Sequence, residues 1–152
     1  MLFRSNLAPL AKTPLESLHM ADTRVSDLAP LSGKKLDELF LANCKNIRDL
    51  APLRDVPLQR LDLSRTAIRD LVPLTGSPIR ELNLEGCTDL TDLTPLMKME
   101  QLEAVIIPAH CKDIDFLRTH PSLRRLSYKK LTQPVYEFWQ EFDGKKDAPA
   151  AK

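Results

Sequence analysis

The sequence predicts an α/β solenoid, a stack of short coils that each hold one strand and one helical turn, and three observations carry that prediction. The string Asp-hydrophobe-x-Pro-Leu recurs as DLAPL at Asp27, DLAPL at Asp49, DLVPL at Asp70 and DLTPL at Asp92, with a degraded DIDFL at Asp113; the spacings are 22, 21, 22 and 21 residues, and NLAPL at Asn6 lies 21 residues earlier. Between these copies runs a second pattern, L-x-x-L-x-L-x-x-T/C-x-I/V/L, clearest at Leu36, Leu39, Leu41, Cys44, Ile47 and at Leu58, Leu61, Leu63, Thr66, Ile68. The composition is biased the same way: 152 residues include 27 leucines and 12 prolines but only 4 glycines. Self-similarity at a fixed period of this length is the mark of stacked supersecondary units.

Each element of the unit has a local reason. The last two leucines of L-x-x-L-x-L alternate with polar residues, the period of a half-buried strand, so Leu61 and Leu63 point inward while Arg60, Asp62 and Ser64 point outward. After the strand the chain turns through a buried corner whose backbone groups need partners, and small hydrogen-bonding side chains stand there at Thr23, Cys44, Thr66 and Cys87, followed by His110. The return segment is too short for a long helix. Its Asp can cap a helical turn by accepting a backbone N–H, and its Pro sits where a missing donor costs nothing.

These motifs resemble the leucine-rich repeat family, whose signature is L-x-x-L-x-L-x-x-N/C-x-L. The likeness covers about residues 6–128, roughly six units, and the Asp-Leu-x-Pro-Leu return is similar to the short internalin-like repeats of bacteria. The resemblance implies a right-handed coil with a parallel sheet on the concave side and tight 3-10 turns on the convex side. It also implies a function in binding other proteins. Thr, Cys and His at the corners depart from the asparagine that the family favours.

A solenoid exposes a core layer at each end unless it is capped. With about six aliphatics in a layer, an open end forgoes roughly 9–18 kcal/mol of burial. The C-terminus supplies a cover. Tyr128, Tyr136, Phe138, Trp139 and Phe142 crowd together, and Val135, Phe138, Trp139 and Phe142 share one helical face. Thr132 and Pro134 mark the helix start. The boundaries expected are repeats over 1–128, a cap with an amphipathic helix over 129–143, and a disordered polar tail over 144–152. At the other end only Leu2 and Phe3 precede the first motif, so self-association through an uncapped N-terminal end is expected. Alternatively, the chain is a regulatory or targeting segment of a larger bacterial serine/threonine kinase-like protein, whose leucine-rich tails the repeats and the phrase YEFWQEFD are similar to.

The chemistry expected is slight. Lys plus Arg is 22 against 21 for Asp plus Glu, a balance that argues against a general nucleic-acid binder. Four isolated glycines make no phosphate loop. The repeating aspartates follow the coil period and read as turn caps, not as paired catalytic acids. Cys87, His110 and Cys111 lack the further ligands that a four-coordinate metal needs. An enzyme, a cofactor and a metal are therefore not expected. No apolar run is long enough for a signal peptide or a membrane span, and the odd cysteine count suggests a reducing compartment, the cytoplasm.

Outward strand positions form columns across the sheet. The central one runs His19, Phe40, Asp62, Asn83, Ile106, Ser127, and the flanking ones contribute Arg60, Arg80, Arg124 and Arg125. Phe40 and Ile106 are candidate apolar anchors, and the arginines, His19, Asp62 and Asn83 are candidate polar contacts for a protein partner. Acids gather on the first two units, at Glu16, Asp22, Asp37 and Glu38. Residues 112–130 hold six bases and two acids, so the face is dipolar along its length and could orient a partner of opposite pattern.

Overall fold

A computed structural model describes residues 6–146. Six parallel strands lie side by side in chain order: β1 (Ser17–His19), β2 (Glu38–Phe40), β3 (Arg60–Asp62), β4 (Glu81–Asn83), β5 (Ala104–Ile106) and β6 (Arg125–Ser127). Their register aligns Leu18, Leu39, Leu61, Leu82, Val105 and Leu126 in one inward row. Each of the first five strands is followed by a corner and a 3-10 turn, and turns of consecutive coils stack on one another over the first four units. The core is therefore a column of aliphatic layers. In the second coil Leu31, Leu36, Leu39, Leu41, Cys44 and Ile47 are all fully buried.

The return segments behave as their sequence dictates. Asp27, Asp49 and Asp70 each accept the backbone amide two residues on at 2.8 Å, Asp92 does so at 2.9 Å, and Asn6 repeats the bond at 2.8 Å. This is an Asx turn. It delivers the chain into the 3-10 turn, where the proline takes a position that needs no donor.

At the corners, each thiol or hydroxyl answers a carbonyl. The Cys44 thiol donates to the Met20 carbonyl and the Cys87 thiol to the Leu63 carbonyl, both at 3.0 Å and both reaching into the preceding coil. Thr23 and Thr66 bond carbonyls of their own coils, Met20 at 3.0 Å and Leu63 at 2.7 Å. His110 does not hold the fifth corner. It is exposed, and the corner belongs to buried Cys111, whose amide bonds the Pro108 carbonyl as Cys87 bonds Leu84 and Cys44 bonds Leu41. One extra residue after β5 shifts the frame, since the register that pairs Leu82 with Val105 would otherwise put residue 110 at the corner. The His110 ring instead meets the Leu90 carbonyl at 2.7 Å from outside.

The C-terminal end closes in two steps. The chain doubles back so that the Leu126 amide bonds the Gln133 carbonyl (3.2 Å) and the Val135 amide bonds the Arg124 carbonyl (2.8 Å), an antiparallel bridge on the outer edge of β6. Helix α1 (Val135–Lys146) follows and packs on β6. Phe138, Trp139 and Phe142 are buried on its inner face with ring centroids 5.2–5.8 Å apart, whereas Tyr136 turns to solvent. Arg118 lies 4.0 Å over the Trp139 ring and also pairs with Asp143, tying the helix to the last 3-10 turn. The helix runs on to Lys146, through residues expected to belong to the tail, because Gly144 costs a helix only about 1 kcal/mol. Residues beyond 146, and Leu2 and Phe3, lie outside the described residues. In the first coil Leu10, Leu15 and Leu18 are only half-buried, although their counterparts Leu31, Leu36 and Leu39 are fully covered.

Candidate functional site

Three-residue strands project their first and third side chains outward, and parallel register lines these up across the sheet. In the central column His19 and Phe40 are in register, and their rings stack at 4.3 Å with 26° between planes. His19 Nε2 is 3.0 Å from the Ser17 hydroxyl, which steadies the imidazole. Phe40 is half-buried and leaves part of its ring open. Next in register comes Asp62. Its Oδ1 accepts the Ser64 amide at 2.8 Å, and its Oδ2 accepts a bond from Asn83 Nδ2 at 3.1 Å. Asn83 Oδ1 accepts the Glu85 amide at 3.0 Å. Asp62 and Asn83 thus shape the turns that leave their strands, a role the sequence reading did not foresee. Those turns pass through left-handed residues at equivalent places, Asp22, Asn43, Arg65 and Gly86, with φ between 56° and 70°. The signal was present in the short polar residues that favour such turns.

Ile106 corrects an expectation. It occupies the outward position in register with Asn83 and Ser127, yet it is only 4% exposed. Ser127 beside it is also buried, because the chain folds over it and its Oγ accepts the amides of Lys129 (2.9 Å) and Lys130 (3.0 Å). A short branched side chain between such neighbours sits below the surface, so Ile106 is not an exposed anchor.

The arginines fall into two groups. Arg60 pairs with Glu38 at 2.6 Å, and Arg80 with Glu103 at 3.4 Å. Arg125 reaches Glu81 at 3.2 Å, two strands away, across Ala104. Only a methyl-sized side chain leaves room for that span. Arg124 is exposed and has no ion pair among the described residues. The paired groups remain substantially exposed, so each bridge contributes about 0–1 kcal/mol and the arginines stay open to exchange with a partner's carboxylates. The dipole survives in thinned form. Exposed Glu16 and Asp37 lie at one end, and exposed Arg124, Lys129 and Lys130 at the other.

Burial pushes the Cys87 and Cys111 thiols above their ordinary range and keeps them protonated. No group of three His, Cys, Asp or Glu among the described residues is placed to hold a metal ion.

Comparison with solved structures settles the architecture. An internalin C2 of Listeria monocytogenes matches with a TM-score of 0.52 and 24% identity, over 72% of this chain and 59% of its own. The fold is a leucine-rich-repeat solenoid. A second internalin of the same organism matches with a TM-score of 0.41 and 19% identity, over 75% of this chain and 48% of its own. The chain therefore spans less than two thirds of either internalin. No family model matches the sequence, and no curated protein does. Within the leucine-rich-repeat frame, the corner set Thr23, Cys44, Thr66, Cys87, Cys111 replaces the usual asparagine ladder with thiol and hydroxyl donors.

Proposed function

We propose that the chain is a non-enzymatic protein-interaction module that holds a partner protein on its concave sheet. The observation that carries this reading is the Phe40–His19 stack, an open aromatic platform on a rigid sheet, with Asp62 in register beside it. Apolar rings held without mobile loops lose little entropy on binding. The polar surround, from Arg60 and Arg80 through Asn83 to Arg124 and Arg125, supplies orientation. The corner thiols act as donors and so work in reduced form, which supports a cytoplasmic setting. No helix among the described residues is long and apolar enough to cross a membrane.

The test uses Phe40→Ala and Arg124→Glu, since neither removes an ion pair among the described residues. A partner captured from native lysate, identified and purified, should bind each variant at least about tenfold more weakly, while the Tm stays within a degree or so for Arg124→Glu and falls by about 1–6 °C for Phe40→Ala, which loses the His19 stack. Unchanged affinity for both variants would show that the concave sheet is not the contact.

A further inference from the structure

A second surface lies away from the aromatic platform. Between the loop that follows β6 and helix α1 there is a cleft of about 850 Å³. Its floor is aromatic: Tyr128 meets Phe138 at 5.2 Å, and Phe142 stacks on Phe138 at 5.8 Å. One wall is basic. Lys129 and Lys130 rise from the loop, and Lys112 Nζ sits 4.7 Å over the Tyr128 ring. The opposite wall is a stripe along α1, with Glu137 and Glu141 one turn apart and Lys145 at its end.

The cleft is built in advance. Ser127 Oγ holds the amides of Lys129 and Lys130, and the Gln133 and Arg124 carbonyls fix the loop to β6. Glu137 accepts the Tyr136 hydroxyl at 3.0 Å, which draws that ring to the outside of the helix. Lys129, Lys130, Lys145 and Glu141 form no ion pair among the described residues. Four lysines against two glutamates leave the lining cationic, and the cations cluster on the loop side.

We infer that this cleft docks a short acidic linear peptide from a partner, with a bulky apolar side chain over the Tyr128–Phe138 floor and its carboxylates against Lys112, Lys129 and Lys130. The volume is that of a site for a few side chains. Phosphate-rich nucleic acid fits less well, because its charge would run along both walls and meet Glu137 and Glu141. The inference can be tested apart from the concave-sheet reading, for the two surfaces meet at Ser127, Lys129 and Lys130 but the platform residues Phe40 and His19 do not line the cleft.

The experiment titrates the full chain, at low salt, with a fluorescein-labelled peptide in which Leu-Phe is flanked by Glu and Asp. Three controls accompany it: the same peptide with Gln and Asn for the acids, the same peptide with Ala for Leu-Phe, and a single-stranded oligonucleotide. The acidic peptide should bind tightest, and Lys129→Glu with Lys130→Glu should weaken it at least about tenfold. Glu141→Lys should tighten it, Phe40→Ala should leave it unmoved, and the resonances of Tyr128 and Lys112 should shift on binding. The inference fails if the acidic peptide does not bind, if either altered peptide binds equally well, or if the oligonucleotide binds more tightly through the same lysines. It also fails if Phe40→Ala, and not the lysine reversals, abolishes binding. Because the lysines are exposed, an unchanged circular dichroism spectrum and Tm are expected of the variants.

Discussion

Asp92 illustrates how much a single side chain does in a coil this short. Its Oδ1 accepts the Thr94 hydroxyl at 2.7 Å and the Thr94 amide at 2.9 Å. The hydroxyl first, and then the amide, hold the carboxyl below its usual range. A depressed pKa in the folded state means that the stabilisation is fully present above the unfolded value of about 3.9 and is lost as pH falls through the lower folded value. Thr94→Ala should therefore move the Asp92 carboxyl titration upward, toward the ordinary value, as followed by NMR. An unmoved titration would mean that the hydroxyl does not hold the charge. The cap itself was legible, because Asp recurs two residues before an amide that has no other partner. Ile106 was not. Alternation marks a position as outward, but burial there depends on how the following loop folds over Ser127. The exchange of His110 for Cys111 was hidden for a related reason, since one inserted residue leaves the motif readable on both sides of it.

At the scale of the strand, the Glu81–Arg125 bridge is the informative feature. The two residues are 44 apart in sequence and two strands apart in space. The columns could be read from the repeat period, so both positions were known to share a face. That they touch depends on Ala104 between them, and a period says nothing about which side chain is small enough to be crossed. Ala104→Leu should block the crossing. A part-exposed pair contributes about 0–1 kcal/mol, so losing the bridge lowers the Tm by about 0–4 °C beyond the cost of crowding the buried Ala104 position, and Arg125→Gln should then cost nothing further. If Arg125→Gln costs the same in both backgrounds, the bridge does not form across β5. The same bridge explains why Arg124, not Arg125, is the cleaner probe of partner binding.

For the whole molecule, the C-terminal cap is the largest single investment. Phe138, Trp139 and Phe142 are buried by it, and at about 1.5–3 kcal/mol each they contribute about 5–9 kcal/mol. That is comparable with the whole stability of a typical domain. A chain ending at Pro134 should lose its cooperative thermal transition by circular dichroism and bind a hydrophobic dye. Retention of a sharp transition would show that the sheet stands without its cap. The cap was legible because aromatics are scarce elsewhere and fall at helical spacing here. The opposite end was less so, because what covers Leu10, Leu15 and Leu18 is not written in the repeat.

The returning segment at 133–135 has one more effect. It occupies the last free row of amides and carbonyls on β6, whereas no strand among the described residues lies along the outer side of β1. That edge of the sheet is thereby blunted, so another polypeptide cannot lengthen the sheet by pairing its backbone with β6 unless this segment first lets go.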